Sequence, residues 1–269
     1  YLNHLHDVEE QHHSVTRNNN TKAMQLTTLT EKLPFFHASM SFENIKFVVK
    51  AKNDKTGKTY KRCLLQNVTG YAAIGSAICL MGSSGAGKTT LLNTLYGFNH
   101  GLGKISGTIS VNGRKITEKQ LSAITGYVEQ HTTLFPFDTV YNPVLFSARL
   151  KLPDWDQEII AQVVNENLEV LELTAMSDML LGSPAEPVLS PSQLKLVSIA
   201  CVLAGNPSIL MLDEPTSSLS SSEALVVMRA INNIKKTGRT IICTIHQPSV
   251  ELFYYFDSML LLGSGGYPI

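Results

Sequence analysis

A chain of 269 residues with 43% hydrophobic content is long enough for a large α/β domain with one inserted or appended subdomain, and is too apolar to be disordered throughout. Lysine plus arginine equals aspartate plus glutamate at 22 each, which removes the basic excess expected where nucleic acid is the main partner and leaves room only for local basic patches. The sequence has no run of about 18 apolar residues and no signal-peptide pattern, so this stretch is not expected to cross a membrane.

Residues 1–33 are polar, rich in Asn, Thr, Gln and His, and lack an apolar period, which predicts a disordered leader. His4, His6, His12 and His13 have no carboxylate or cysteine at fixed spacing, so a solvated tail is the better reading than a metal site. Residues 34–269 form the domain proper. Phe42 to Val49 has strand character, Asn53 to Lys58 supplies a turn, and Cys63 to Val68 begins another strand, together a small antiparallel layer. The apolar run Ala77 to Met81 reads as a buried strand, and Thr89 to Tyr96 as a helix. Gly107 to Asn112 alternates like a strand and ends at the turn Asn112-Gly113. From Leu134 to Leu181 the pattern turns helical, with Ile159, Ile160, Val163, Val164, Leu168 and Leu171 at spacings of three and four. With a further helix at Ser192 to Ala204 this predicts a helical subdomain over about 134–205. Strands follow at Ile209 to Leu212, Thr240 to Thr244 and Ser258 to Leu262, with a helix at Ser221 to Lys236. The class is α/β with parallel core strands. Cys63, Cys79, Cys201 and Cys243 lie far apart in apolar or strand-like stretches, without a C-x-x-C pair or a histidine at ligand spacing. Core thiols in a reducing, cytosolic setting are expected. The opening at Tyr1 without methionine and the stop at Ile269 soon after an apolar strand and a glycine-rich turn read as cuts from something longer.

The most specific chemistry lies in Gly82-Ser83-Ser84-Gly85-Ala86-Gly87-Lys88-Thr89-Thr90, which fills every fixed position of G-x-x-x-x-G-K-[ST]. Glycines let the backbone wrap phosphate oxygens, amides and a helix N-terminus supply positive potential, Lys88 reaches the terminal phosphates, and Thr89 can hold Mg2+. An accidental glycine-rich turn of this form arises in roughly 1% of chains of this length, and the strand, loop, helix order around the motif argues further against accident. The strand Ile209 to Leu212 runs into Asp213-Glu214, placing two carboxylates where ligands bind in such sheets. Asp213 suits a magnesium partner and Glu214 can polarise a water beside a γ-phosphate. Gln130 follows the strand-like Thr125 to Val128, and His246 follows Thr240 to Thr244. Each is weak alone; with the phosphate loop they assemble lysine, hydroxyl, carboxylates, amide and imidazole around one triphosphate, a set suited to in-line hydrolysis.

At these residues the sequence, from about Phe42 onward, resembles the nucleotide-binding domain of ABC transporters. GSSGAGKTTLLNTLYG resembles the Walker A loop and helix, Tyr127-Val128-Glu129-Gln130 the Q-loop, Ile209 to Glu214 the Walker B strand, Pro215 to Ser220 the D-loop, and Thr244 to Ser249 the H-loop. The IHQPS form of the last motif and Leu145-Phe146-Ser147-Ala148-Arg149-Leu150 point to the G subfamily and its pleiotropic drug resistance members, and the ending to the second such domain of a full-size transporter. The resemblance implies a P-loop NTPase core of RecA-like type with an antiparallel β subdomain and an α-helical subdomain, ATP and Mg2+ as cofactors, and catalysis by Lys88, Gln130, Glu214 and His246. Magnesium would be held by Thr89, Asp213 and Gln130. Phe47 falls where the family places an aromatic that stacks on adenine, although a buried strand residue is about equally consistent. The implied partners are a second nucleotide-binding domain, paired head to tail, and transmembrane domains, at the cytosolic face of a membrane; nucleic acid is not among them.

Two departures carry chemical weight. Leu189-Ser190-Pro191-Ser192-Gln193 stands where the family's signature has L-S-G-G-Q, the loop that covers the γ-phosphate held by the partner's Walker A. Ser190 can cap the following helix and Pro191 suits its first position, but proline removes a donor, and loss of both glycines limits close approach of backbone to phosphate. Ser190, Ser192 and Gln193 are therefore expected to reach a partner's site as a poorer anion clamp. Ser220 stands where the D-loop has Asp, which puts coupling across that interface in doubt. The expected function is the ATP-hydrolysing motor domain of an exporter of lipids, sterols or xenobiotics. The competing readings are a soluble ABC-type ATPase acting on ribosomes or DNA and a non-hydrolysing regulatory module.

Overall fold

The computed structural model describes residues 35–53, 57–99, 101–131, 133–183 and 185–269. The expected leader and its four histidines lie outside the described residues. His37–Ile269 forms one compact unit.

Its first layer is an antiparallel sheet of four strands in the order β2-β1-β4-β5, with β1 at Met40–Lys52, β2 at Thr59–Ala72, β4 at Lys104–Val111 and β5 at Arg114–Lys115. Strand β1 buries Met40, Phe42, Ile45 and Phe47, so the step from Phe42 to Ile45 breaks the period of two. A register shift between those residues corrects the phase, with Asn44 at φ 53° absorbing the extra residue and its N–H donating to Thr69 Oγ1 at 3.0 Å. The β4–β5 connection is the expected Asn112-Gly113 turn, with φ of 49° and 74° between the paired Val111 and Arg114, the left-handed values that a tight hairpin needs.

The second layer is a six-stranded sheet, β10-β9-β3-β8-β7-β6, parallel except for β10. Its strands are β3 at Ala77–Gly82, β6 at Thr125–Val128, β7 at Ile209–Leu212, β8 at Thr240–Thr244, β9 at Ser258–Gly263 and β10 at Tyr267–Pro268. Both faces are covered, which explains why β7 and β8 are fully buried apolar runs. Ile209, Met211 and Ile242 face a cluster shared with the antiparallel layer and with α1, Lys88–Tyr96. Leu210, Leu212, Ile241 and Cys243 face a second cluster with α3 (Tyr141–Lys151), α4 (Gln157–Val170), α5 (Pro191–Leu203) and α6 (Ser221–Lys236).

The stretch read as helical from Leu134 starts its helix only at Tyr141. Residues around Pro136 instead form a turn; the isolated bridge Thr139↔Leu180 ties the entrance of α3 to the chain leading toward α5, and a second, Gly182↔Pro187, closes that chain on itself. Helix α2, Glu118–Ile124, was not anticipated; its signal is the capping box of Thr117 and Gln120. The last helix, α7, is the short turn Val250–Phe253. No helix among the described residues is long and apolar enough to cross a membrane.

A phosphate loop facing a buried carboxylate

Parallel register places the candidate residues together. Leu80 pairs with Thr244, Val128 with Leu212 and Leu212 with Cys243, so β3, β6, β7 and β8 all end at one edge of the sheet. The phosphate loop, Gln130, Asp213-Glu214 and His246 follow immediately.

The loop turns on Gly82, Gly85 and Gly87, with φ of 151°, 76° and 99°. A Cβ on Gly82 would collide with the Leu262 carbonyl, and Gly87 caps α1 in the left-handed region. Lys88 is 5% exposed, and its ammonium donates to the carbonyls of Gly82 at 3.0 Å and Ser83 at 3.2 Å. This cation is held inside the loop, over the backbone that would cradle phosphate. Thr89, the next residue of α1, donates its hydroxyl to Asp213 Oδ1 at 3.0 Å.

Asp213 is 5% exposed and well supplied with donors. Thr244 Oγ1 donates to the same Oδ1 at 2.6 Å, while accepting the Glu214 N–H at 2.7 Å. The Tyr127 hydroxyl donates to Asn93 Oδ1 at 2.6 Å and lies 3.5 Å from Asp213 Oδ2. Burial, reinforced by the negative charge of Asp213, pushes the Tyr127 phenol well up from 10.0, so it stays a neutral donor. Glu214 occupies the left-handed region at φ 43°, an uncommon conformation that turns the chain abruptly at the end of β7. Gln130 donates its side-chain amide to Glu214 Oε2 at 3.0 Å and to Ser217 Oγ at 3.3 Å.

Glu214 and the exposed His246 join Leu64 and the loop residues Ser84, Gly85 and Gly87 to Thr90 in lining one cavity of about 230 Å³. Ser83 is exposed on the same loop, and Ala86 is buried beneath it. Ser190, Ser192 and Gln193 are not part of this lining. They sit at the start of α5, where Ser190 and Gln193 form a capping box and the Ser190 and Ser192 hydroxyls lie 2.9 Å apart. Ser220 likewise caps α6 in a box with Glu223.

Phe47 does not meet its expectation. It is 2% exposed, paired with Leu65 and Ile105 in the antiparallel sheet and packed in the core, so neither ring face is open to a base. The burial that makes it a good strand residue removes it from the ligand.

Three residues at the site were not read from the sequence: Tyr127 as an Asp213 neighbour, Thr244, and Lys195. Thr244 had a signal, since a polar residue ending the apolar strand TIICT must find a partner when buried. Lys195, on α5, donates to the Gln130 carbonyl at 2.7 Å and the Glu129 carbonyl at 3.1 Å; burial lowers its affinity for a proton, against the pull of Asp213. Nothing local in the sequence marks that reach across 65 residues.

Magnesium takes oxygen ligands, and the Thr89 hydroxyl bonded to the Asp213 carboxylate, with the Gln130 amide beside Glu214, is a donor set that fits it. No group of three or more His, Cys, Asp or Glu that could hold a metal ion occurs among the described residues.

A phosphate loop after β3, an acidic pair after the neighbouring strand but one, and a covered parallel sheet define an α/β P-loop domain. A profile of the family described as ABC transporter matches residues 65–217. ABC transporter G family member 49 of Oryza sativa subsp. japonica is 41% identical over 250 residues, covering 91% of this chain and 17% of that protein. G family member 32 of Arabidopsis thaliana is 43% identical over 238 residues, covering 87% of this chain and 17% of the relative. The fold matches a solved ATP-binding cassette of an ABC transporter in its ADP conformation, with a TM-score of 0.67 at 21% identity over 87% of this chain and 90% of that one. The chain belongs to the ABC transporter family. The relatives named are of the G type, and the chain spans about a sixth of their length.

Proposed function

We propose that the chain is the ATP-binding and ATP-hydrolysing motor domain of a G-type exporter that moves lipids, sterols or xenobiotics, with transmembrane domains supplied by the rest of the protein and a second nucleotide-binding domain paired head to tail at the cytosolic face. The observation that carries this reading is the continuous network from Thr89 through Asp213 and Thr244 to Glu214 and Gln130, beside a lysine enclosed by the phosphate loop. A passive nucleotide binder needs the loop but has no use for a carboxylate base held by an amide at the cavity wall.

In this reading Lys88 and the loop amides hold the β- and γ-phosphates. Thr89, Asp213 and Gln130 would hold Mg2+, which when bound neutralises phosphate charge. Glu214 accepts from Gln130 through Oε2 and keeps Oε1 for the attacking water, whose proton it draws away. His246, at the exposed wall of the cavity, offers its imidazole to the γ-phosphate.

In the full-length transporter, Lys88→Ala and Glu214→Gln are expected to reduce steady-state ATP turnover by at least about 100-fold, the scale on which positioned acid–base and charge-stabilising groups act. Near-normal turnover in either variant would overturn the motor reading in favour of a regulatory module. Absence of hydrophobic spans from the complete reading frame would overturn the exporter in favour of a soluble ATPase.

A further inference from the structure

We propose that Lys195 is a positioning residue of the hydrolytic site, holding the loop that carries Gln130 in register with Glu214 and tying that loop to the helix whose first residues form the altered signature. This rests on the ATPase reading above and adds to it a group outside the recognised motifs.

The argument starts from backbone accounting. The ladder between β6 and β7 ends at Val128↔Leu212, so the next two carbonyls, those of Glu129 and Gln130, leave the sheet without a strand to receive them. Glu129 is exposed, but Gln130 is partly buried and its carbonyl needs a donor. Lys195 meets both with one ammonium, at 3.1 Å and 2.7 Å. A lysine carries three rotatable donors on a flexible stem, so a single side chain can hold two consecutive carbonyls. On its other side the same short loop sends the Gln130 amide to Glu214 Oε2 at 3.0 Å and to Ser217 Oγ at 3.3 Å. The backbone of Gln130 is thus fixed by α5, and its side chain by the chain that follows β7. Without the cation, the carbonyls have only water to turn toward, and the amide has a mobile base beneath it.

The position of Lys195 on α5 extends the consequence. It lies five residues beyond Ser190 and two beyond Gln193, the pair that caps the same helix. A displacement of that helix start by a partner's nucleotide therefore moves Lys195, and with it the Gln130 carbonyl. Helix α5 does not need Lys195 for its own packing, since Leu196, Val197, Ile199, Ala200 and Leu203 on it are buried in the core. Lys195→Met, which keeps much of the apolar stem and removes the donors, is accordingly expected to fold.

The test uses the full-length transporter in its membrane. Lys195→Met is expected to lower kcat for ATP by about tenfold, with KM changed less than about twofold, because the residue acts on the base and not on nucleotide binding. Lys195→Arg, whose fork can donate to both carbonyls, is expected to recover most of the rate. In a double-mutant cycle, Lys195→Met added to Gln130→Ala should cost nothing beyond Gln130→Ala alone. Hydrogen exchange across residues 125–131 should rise in Lys195→Met, while exchange across β3 and β8 stays at the wild-type level. Wild-type kcat in Lys195→Met, a loss confined to KM, additive losses in the cycle, or unchanged exchange in the loop would each overturn the proposal. Should the wild type show no turnover that depends on Lys88, the ATPase reading falls, and the exchange measurement still decides whether Lys195 holds the loop.

Discussion

At the scale of single residues, the site depends on a threonine that opens the H-loop segment and to which the sequence gives no role of its own. Thr244 is fully buried, donates to Asp213 Oδ1 at 2.6 Å and accepts from the Glu214 N–H at 2.7 Å, so one hydroxyl serves both acidic residues and joins β7 to β8. Thr244→Val keeps shape and strand preference while leaving an orphaned amide and a carboxylate short of a donor. The expected cost is about 1–3 kcal/mol of stability, read by denaturant unfolding, accompanied by a lower kcat as Glu214 loses its anchor. Retention of both stability and kcat would show that solvent replaces the hydroxyl. Phe47 makes the opposite case, a residue whose alignment suggested ligand contact and whose 2% exposure assigns it to the core. Phe47→Leu is expected to lower the melting temperature and leave KM for ATP within about twofold of wild type, since the change removes packing and not a base contact. A raised KM at unchanged melting temperature would restore the stacking role.

At the scale of elements, what could be read from the sequence follows how local each determinant is. Strands Ile209–Leu212 and Thr240–Thr244 and helix Ser221–Lys236 have the boundaries expected, because a fully apolar run and an amphipathic period closed by a serine cap state their own ends. The phosphate loop needed only its glycines and lysine. What depends on distant partners is not legible locally: the β1 bulge at Asn44, the Thr139↔Leu180 bridge before α3, and the reach of Lys195 to the Gln130 carbonyl. The pairing of β3 with β8 has a measurable consequence of this non-local kind, since it sets Cys79 beside Cys243 with both fully buried. Burial pushes the Cys79 thiol from 9.0 to about 11, and Cys243 is likewise raised. Between pH 9.0 and about 11 the unfolded chain therefore gives up a Cys79 proton that the folded chain retains. Stability contributed below that window is lost as pH rises through it, at a slope of about 1.4 kcal/mol per pH unit for each such thiol. Unfolding measured from pH 8 to 10.5 should show that decline, and Cys79→Ala should remove part of it, since the Cys243 thiol and the Cys201 thiol, the latter also raised to about 11, remain. A profile unaffected by the substitution would mean that other groups govern alkaline stability.

At the scale of the whole molecule, the head-to-tail pairing proposed above would put the proposed catalytic residues and the altered signature in different composite sites. The start of α5 supports the proposal that this signature is a poorer clamp. Pro191 has no N–H, the Gln193 N–H is spent on Ser190 Oγ at 3.2 Å, and the Ser190 hydroxyl lies 2.9 Å from that of Ser192, itself only 5% exposed. Proline removes one donor, and the Gln193 N–H and one of the two hydroxyl protons are engaged within the turn, which leaves fewer donors for an incoming γ-phosphate. By contrast, under the proposed function this chain's phosphate loop, Asp213, Glu214, Gln130 and His246 would need only a partner's signature, so that site is the one expected to hydrolyse ATP. Restoring both glycines, Pro191→Gly with Ser192→Gly, should therefore change steady-state turnover of the intact transporter by less than about twofold, because the rate is set at the other site. The same double substitution in a Glu214→Gln background should leave turnover abolished, since a repaired clamp cannot replace a missing base across the interface. A several-fold gain from the glycines alone would mean that both sites cycle and that the altered signature limits the rate. Turnover restored in the Glu214→Gln background would mean that the repaired site hydrolyses independently with the partner's base, and the asymmetric arrangement would then be a brake on a second engine rather than a division between hydrolysis and holding.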